Sequence, residues 1–476
     1  MHYALQVPGA TSVGVLEVTS PFDGKAVATV ETIDVTGAER ALQVASDLYN
    51  DRSTWLPADE RVAILERTAE LMRERFDALA RTAVLEGGKP LTDTRIELER
   101  AIDGVKNCVE CIRGEHGTEI PMQLNAASDN RIAFTRREPV GVVVAVSAFN
   151  HPLNLIVHQI GPAVASGCPV IIKPADDTPA VCFEFVKLLR AAGLPDGWCQ
   201  AVAVSEMSVA QKLVTDSRVA FFSFIGSANV GWMLRSKLAP GTRCALEHGG
   251  AAPVIVAKDA DLDEALPLLI KGGFYHAGQV CVSVQRMFVH RDIFGEVAER
   301  MAAMAGELQV GDPLLEQTEV GPLIRHRETD RVSAWVNEAV GAGAKLLQGG
   351  EMLSPSLYAP TVLAEPPEQA TVSQKEIFGP VICLYEYDEL GEAVRRANAL
   401  PFAFHAAVMS RDINTAMYAY KHLAASAVMV NDHTAFRVDW MPFAGLRQSG
   451  YGVGGIPHTY KEMQFEKMLV LRSSAL

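Results

Sequence analysis

Apolar positions change their spacing several times along this chain, and the changes divide it. From Ala58 onward Val62, Leu65, Ala69, Met72, Phe76 and Leu79 recur at alternating steps of three and four, which predicts an amphipathic helix ended by Gly87-Gly88. A second helix is predicted over roughly Asp93 to Ile112. Between residues 119 and 137 the pattern turns polar, and Asn125 to Asn130 reads as a hairpin tip whose short arms need another element or subunit to pack on. A regular alternation follows. Val140 to Val146, Pro169 to Lys173 and Val219 to Phe224 are apolar runs, while Leu153 to Ala165 and Ala180 to Ala192 carry helical spacing. Strands without period-two alternation, separated by helices, predict a parallel sheet covered on both faces, the pattern of an α/β dinucleotide domain. After Glu247 a second set begins: Pro253 to Val256, a helix from Leu262, a strand at Met287 to Val289, a helix from Ile293 and a strand near Val381 to Tyr385. Met463 to Leu471 predicts a last strand, suited to a partner's edge or to the 119–137 hairpin.

Length and charge narrow the class. A chain of 476 residues is too long for one hydrophobic core. The formal charge of −14 is spread without any basic stretch that could neutralise a phosphate backbone, so no nucleic-acid partner is expected. The start of the chain lacks the basic and apolar regions of a signal peptide, and no apolar run approaches the roughly 20 residues of a membrane span. A cytoplasmic location with no membrane partner is therefore the expectation. Eight cysteines are too sparse for a disulfide scaffold, and Cys108 and Cys111 read as neighbours on one helix face; no metal site is expected.

Several strand ends carry residues with chemical potential, each with a plain alternative. Cys281 lies in Gly278-Gln-Val-Cys281 ahead of an apolar run, a setting for a nucleophilic thiol or for a buried structural one. Lys173-Pro174-Ala175-Asp176 puts a cation and a carboxylate at a sheet edge, where Asp176 could accept from ribose hydroxyls, or forms a surface turn. Phe224-Ile-Gly-Ser227 ends a strand and opens a helix, so Gly226 could permit a turn and Ser227 could cap it and donate to a phosphate, a weak signal by itself. Glu247 before Gly249-Gly250 suits a general base or a salt bridge. Asn150 suits an oxyanion donor or a helix N-cap ahead of Pro152.

Taken together, the motifs resemble the aldehyde dehydrogenase superfamily over nearly the whole chain. Phe224-Ile-Gly-Ser227, Glu247-His-Gly-Gly250, Gly278-Gln-Val-Cys281, Glu376-Ile-Phe-Gly-Pro380 and Pro442-Phe-Ala-Gly445 stand in the family's order, and the separations of Asn150 from Lys173 and of Glu247 from Cys281 are similar to the family's. The resemblance implies an α/β fold of two doubly wound domains with a small β oligomerisation element. Residues 1–118 and 138–247 would form the dinucleotide-binding domain and 248–455 the catalytic domain. Residues 119–137 and 456–476 would form the element joining a homodimer or homotetramer.

It also implies roles: Cys281 as nucleophile, Glu247 as general base and Asn150 as oxyanion donor. Lys173, Asp176, Phe224, Gly226, Ser227, Gly249, Glu376 and Phe378 would hold NAD, with NADP possible because Asp176 is shorter than the usual glutamate. The reaction implied is oxidation of a small aldehyde to its acid through a thiohemiacetal and a thioester. A coenzyme-A-acylating semialdehyde dehydrogenase and a non-catalytic structural homologue are the alternatives, and the presence of Glu247 speaks against the first.

Leu155, His158, Tyr275, Val280, Val282, Arg437 and Phe443 resemble the family's substrate tunnel. His158 and Arg437, each cationic or able to become so, stand where members taking long apolar aldehydes carry aromatics. That leaves Arg437 either reading an anionic substrate or pairing with Asp439 nearby. The expected substrate is a short hydroxylated or anionic aldehyde, of lactaldehyde or glyceraldehyde type.

Overall fold

The computed structural model describes residues 1–476. Two apolar cores, of 48 and 45 buried residues, lie against two separate sheets, which is how a chain of this length keeps each core compact. The first sheet runs Gly450–Tyr451, Arg243–Glu247, Val219–Ile225, Val142–Val146, Val170–Lys173, Cys199–Ala201. All its pairings are parallel except that of Gly450–Tyr451. Successive strands step outward from Val142–Val146 to both sides, which opens a crevice at the carboxyl edge. Register then matters. Val146 stands opposite both Lys173 and Phe224, and Ile225 opposite Glu247, so the strand ends carrying the predicted motifs share one edge.

The second sheet runs Lys345–Gln348, Thr361–Ala364, Val381–Tyr387, Val284–His290, Ala252–Val256, His405–Met409, Ala427–Val430, antiparallel only at its first pair. A third, small sheet pairs Arg131–Pro139 with Glu119–Ile120 and, over nine residues, with Gln464–Arg472 of the same chain. It leaves Ile132, Phe134, Met468, Leu469, Val470 and Leu471 between 43% and 55% exposed.

Three boundaries differ from the sequence reading. The helix expected from Ala58 to Gly87 is two, Ala58–Glu74 and Phe76–Gly87, broken at Arg75. The step pattern runs across the break because Met72 and Leu79 bury into the same core on either side of it. The C-terminal segment does not all belong to the small sheet: Ile456–Glu462 is a helix whose Ile456 and Tyr460 enter the first core. Gly450–Tyr451, within the stretch expected to be catalytic, instead extends the first sheet.

Helix Leu91–Arg113 joins the two bodies. Asp93, Glu97 and Arg100, at steps of four and three, share one face of it. Lys89 and Glu97 form a fully buried ion pair. Glu97 Oε1 also accepts the Leu153 and Asn154 N–H groups at 2.9 and 3.0 Å, capping helix Asn154–Ser166, which has no side-chain cap of its own. Glu97→Ala would strand a buried ammonium and two backbone donors. We expect it to cost about 3–5 kcal/mol of stability, read from the midpoint of urea denaturation.

Candidate active site

Cys281 sits in the turn between the short helical segment Tyr275–Gly278 and strand Val284–His290. That turn is tight: His276 and Ala277 hold φ of 48° and 54°, and Gly278 follows at 69° with its Cα so close to the Gly379 carbonyl that a Cβ would overlap it. On either side of the thiol, Val280 and Val282 are buried in one apolar cluster with Phe404 and Phe443, against which Tyr275, Ala435 and Cys281 pack. Burial pushes the thiol up to about 12; the Arg437 charge pulls it down, while Glu376 and Glu247 add to the rise.

Asn150 is held to this turn. Its Nδ2 donates to the Gln279 carbonyl at 2.9 Å, leaving the second amide hydrogen free. It does not cap the following helix, because Glu97 does. Gln279 is itself fixed, donating to the His276 and Pro322 carbonyls at 3.2 Å and accepting from the Ile324 N–H at 3.0 Å. Glu247 ends its strand with its carboxylate over Gly454, where any Cβ would collide. Burial raises its pKa and Arg437 opposes the rise.

Arg437 is not paired with Asp439. Asp439 already accepts from Arg100 Nε and Nη2 at 3.1 and 2.8 Å, from Asn154 Nδ2 at 3.0 Å and from His158 Nε2 at 2.7 Å. Against the upward pull of burial, His158 and Arg100 hold this carboxyl well below the usual carboxylate range. No carboxylate pairs with Arg437 at all. Its Nη2 contacts His158 Nδ1 at 3.3 Å, its guanidinium carbon lies 3.6 Å from the Phe443 ring centroid, and its Nε has no partner. His158 stays neutral at ordinary pH, because burial and Arg437 lower it to about 4.

At the other end of the crevice, Lys173 Nζ donates to Asp176 Oδ1 at 2.6 Å and to the Pro174 carbonyl at 3.1 Å. Ser227 precedes helix Ala228–Arg235 without capping it through its side chain, and so leaves its hydroxyl exposed. Gly226 has no left-handed backbone; the glycine is needed because a Cβ would lie 2.8 Å from the Phe224 ring. His248 contacts the Gly226 carbonyl through Nδ1 at 3.0 Å and packs edge-on against Phe224 and tilted against Trp232. Glu376 lies against Gly249 with Oε1 unpartnered, and burial raises its pKa to about 8. Glu376, Phe378 and Val280 line a small hollow that reaches Gly250, and Cys281, Phe402 and Phe404 line a second that also reaches Gly250.

The structure thus gathers Cys281, Asn150, Tyr275, Val280, Val282 and Phe443 around one turn, with Glu247 and Arg437 close enough to shift the thiol's ionisation. Leu155, buried on the helix after Asn150, stands outside the apolar cluster. Sequence reading missed Phe404, Gln279 and Arg100. Only Arg100 left a signal, the charged stripe 93–97–100 on the helix face that is otherwise patterned for burial.

No group of three or more His, Cys, Asp or Glu side chains is arranged to hold a metal, and no helix is long and apolar enough to cross a membrane. Residues 9–469 match the model of the aldehyde dehydrogenase family. The chain belongs to that family. It is 36% identical over 472 residues to a 3-sulfolactaldehyde dehydrogenase of Priestia aryabhattai, covering 99% of this chain and 98% of the relative. Among solved structures it is similar to aldehyde dehydrogenase 21 of Physcomitrella patens in complex with the reaction product succinate, with a TM-score of 0.94, 34% identity and coverage of 99% and 98% of the two chains. It is also similar to the glyceraldehyde-3-phosphate dehydrogenase of Methanocaldococcus jannaschii complexed with NADP, with a TM-score of 0.92, 34% identity and coverage of 96% and 99%. The α/β architecture expected from the sequence is therefore that of known aldehyde dehydrogenases.

For this aldehyde dehydrogenase the raised thiol has a measurable consequence. Only the thiolate is alkylated, so modification of Cys281 by iodoacetamide should accelerate into the alkaline range without levelling near neutrality. Arg437→Gln removes the charge that lowers the thiol pKa, and should slow alkylation at every pH below the plateau.

Proposed function

We propose that this enzyme oxidises a short anionic aldehyde to its carboxylic acid with NAD or NADP, using Cys281 as nucleophile. The observation that carries the reading is Arg437: a partly buried guanidinium with no carboxylate partner, close enough to Cys281 and Glu247 to act on the ionisation of both. An unpaired cation beside apolar walls is costly, and an anionic substrate group would satisfy it. Its closeness to the thiol favours a chain of a few carbons between aldehyde and anion. The relatives support the class, since sulfolactaldehyde, succinate and glyceraldehyde 3-phosphate each carry an anionic group.

The crevice fits a nicotinamide dinucleotide. Glu376 offers an unsatisfied oxygen where ribose hydroxyls could donate, Gly249 allows close approach, and Lys173 and Asp176 stand where the first sheet can meet the other ribose. Phe224, Gly226 and Ser227 form the turn suited to the phosphates, and Phe378 would flank the ring. A carboxylate at Asp176 disfavours a 2′-phosphate, so NAD is the expected preference, with NADP admitted. Residues 1–118 and 138–247 would then form the cofactor domain, and the exposed apolar residues of the small sheet would join subunits of a homodimer or homotetramer.

In this reading Cys281 gives up its thiol proton to solvent, the sulfur attacks the aldehyde carbon, and the free Asn150 N–H with the Cys281 backbone N–H stabilises the oxyanion. When bound, the nicotinamide supplies the hydride acceptor. The acyl group left on sulfur is a thioester. Glu247, with its raised pKa, takes a proton from water, whose oxygen attacks the acyl carbon and expels the Cys281 thiolate, and the proton on Glu247 then returns to the sulfur as the acid leaves.

Glu247→Gln should therefore give one equivalent of NADH and then stall, seen as a stopped-flow burst; steady turnover would show that the base lies elsewhere. Arg437→Leu should lower kcat/KM for succinate semialdehyde at least about tenfold, as loss of a charge-assisted bond implies, measured against butanal as the uncharged control.

A further inference from the structure

Arg437 would be a poor reader of an anion if its own position were loose. Its guanidinium has five donors and no acceptor, and only one donor is engaged by the protein. That contact is to His158, and it restricts His158 to one form. Nε2 lies 2.7 Å from an Asp439 carboxylate oxygen, which can only accept, so Nε2 carries the proton. Nδ1 lies 3.3 Å from Arg437 Nη2, which can only donate, so Nδ1 must present its lone pair. The imidazolium and the Nδ1–H tautomer would each set two donors against one another. Asp439 in turn is oriented by Arg100 and Asn154, from two different helices.

We infer that His158 is a positioning residue for substrate specificity, whose tautomer, fixed by Asp439, aims Arg437 at the anionic end of the aldehyde. This rests on the reading of Arg437 given above. The groups around the imidazole support the neutral form: besides burial, Arg437 and Arg100 disfavour a charge that Asp439 alone favours. The Phe443 face beneath the guanidinium limits its tilt, and His158 fixes its rotation in that plane.

Two substitutions separate the halves of the imidazole. In His158→Asn the amide oxygen takes the place of Nδ1 and keeps an acceptor toward Arg437. In His158→Gln the amide nitrogen takes the place of Nε2, keeping the donor to Asp439 and losing the acceptor. The readout is the ratio of kcat/KM for succinate semialdehyde to that for butanal. His158→Gln should lower this ratio about tenfold, mostly through KM, as expected for one lost bond to a charged group, and His158→Asn should preserve most of it. Equal losses on both aldehydes in both variants would mark His158 as merely structural and overturn the inference. If Arg437→Leu collapses the ratio but His158→Gln does not, the positioning role falls while the reading of Arg437 stands. If the ratio is indifferent to Arg437→Leu, the reading fails and takes the inference with it.

Discussion

Charge buried where two α/β bodies meet must find partners within the protein, and two carboxylates, Glu97 and Asp439, meet that demand at this joint. Glu97 takes the Lys89 ammonium and the first two N–H groups at the head of helix Asn154–Ser166; Asp439 takes Arg100 and two side chains of that same helix. Together they clamp the helix from both bodies. Asn150, four residues ahead of Asn154, is tied in turn to the Gln279 carbonyl beside Cys281. The distance between the Asn150 amide and the thiol therefore depends on ion pairs several residues away from either. Removing one partner of such a pair is costly because it leaves a buried charge, so the clamp is all-or-none in character.

Glycines make the second constraint. Gly249 lies against Glu376, Gly278 against the Gly379 carbonyl and Gly454 against Glu247, each with no room for a Cβ. All three bring a backbone within touching distance of a polar group from a distant segment. The crevice is narrow around Cys281 because these positions carry no side chain, and the carboxylates they touch are desolvated for the same reason. That desolvation raises Glu376 and Glu247 above the ordinary carboxyl range.

The parallel strands and their carboxyl-edge motifs were legible because each combines a local signal, an apolar run followed by Gly, Lys or Glu, with a spacing that local structure preserves. What was not legible depends on side chains meeting across long separations. Arg437 and Asp439 are two residues apart, and proximity in sequence suggested a pair. The fold instead brings Arg100 to Asp439 from more than three hundred residues away, leaving Arg437 unpaired. That His158 stays neutral was not legible for the same reason, since its burial and its orientation toward Arg437 exist only after folding. The break at Arg75 was hidden because both helices bury the same stripe, and Ile456–Glu462 was misassigned because seven residues are too few to show a period.

The unpaired arginine is also a shared one. Its charge lowers the Cys281 thiol and the Glu247 carboxyl, and an anionic substrate would compete with both for it. A permanent carboxylate partner would have relieved the cost of burying the cation, but would also have silenced it toward all three. Keeping Asp439 occupied by Arg100, Asn154 and His158 prevents that. His158 then contacts Arg437 through an uncharged lone pair, which orients the guanidinium without neutralising it. An uncharged acceptor between a carboxylate and a cation thus positions the cation while leaving its charge available to the site, which a direct Arg437–Asp439 pair could not do.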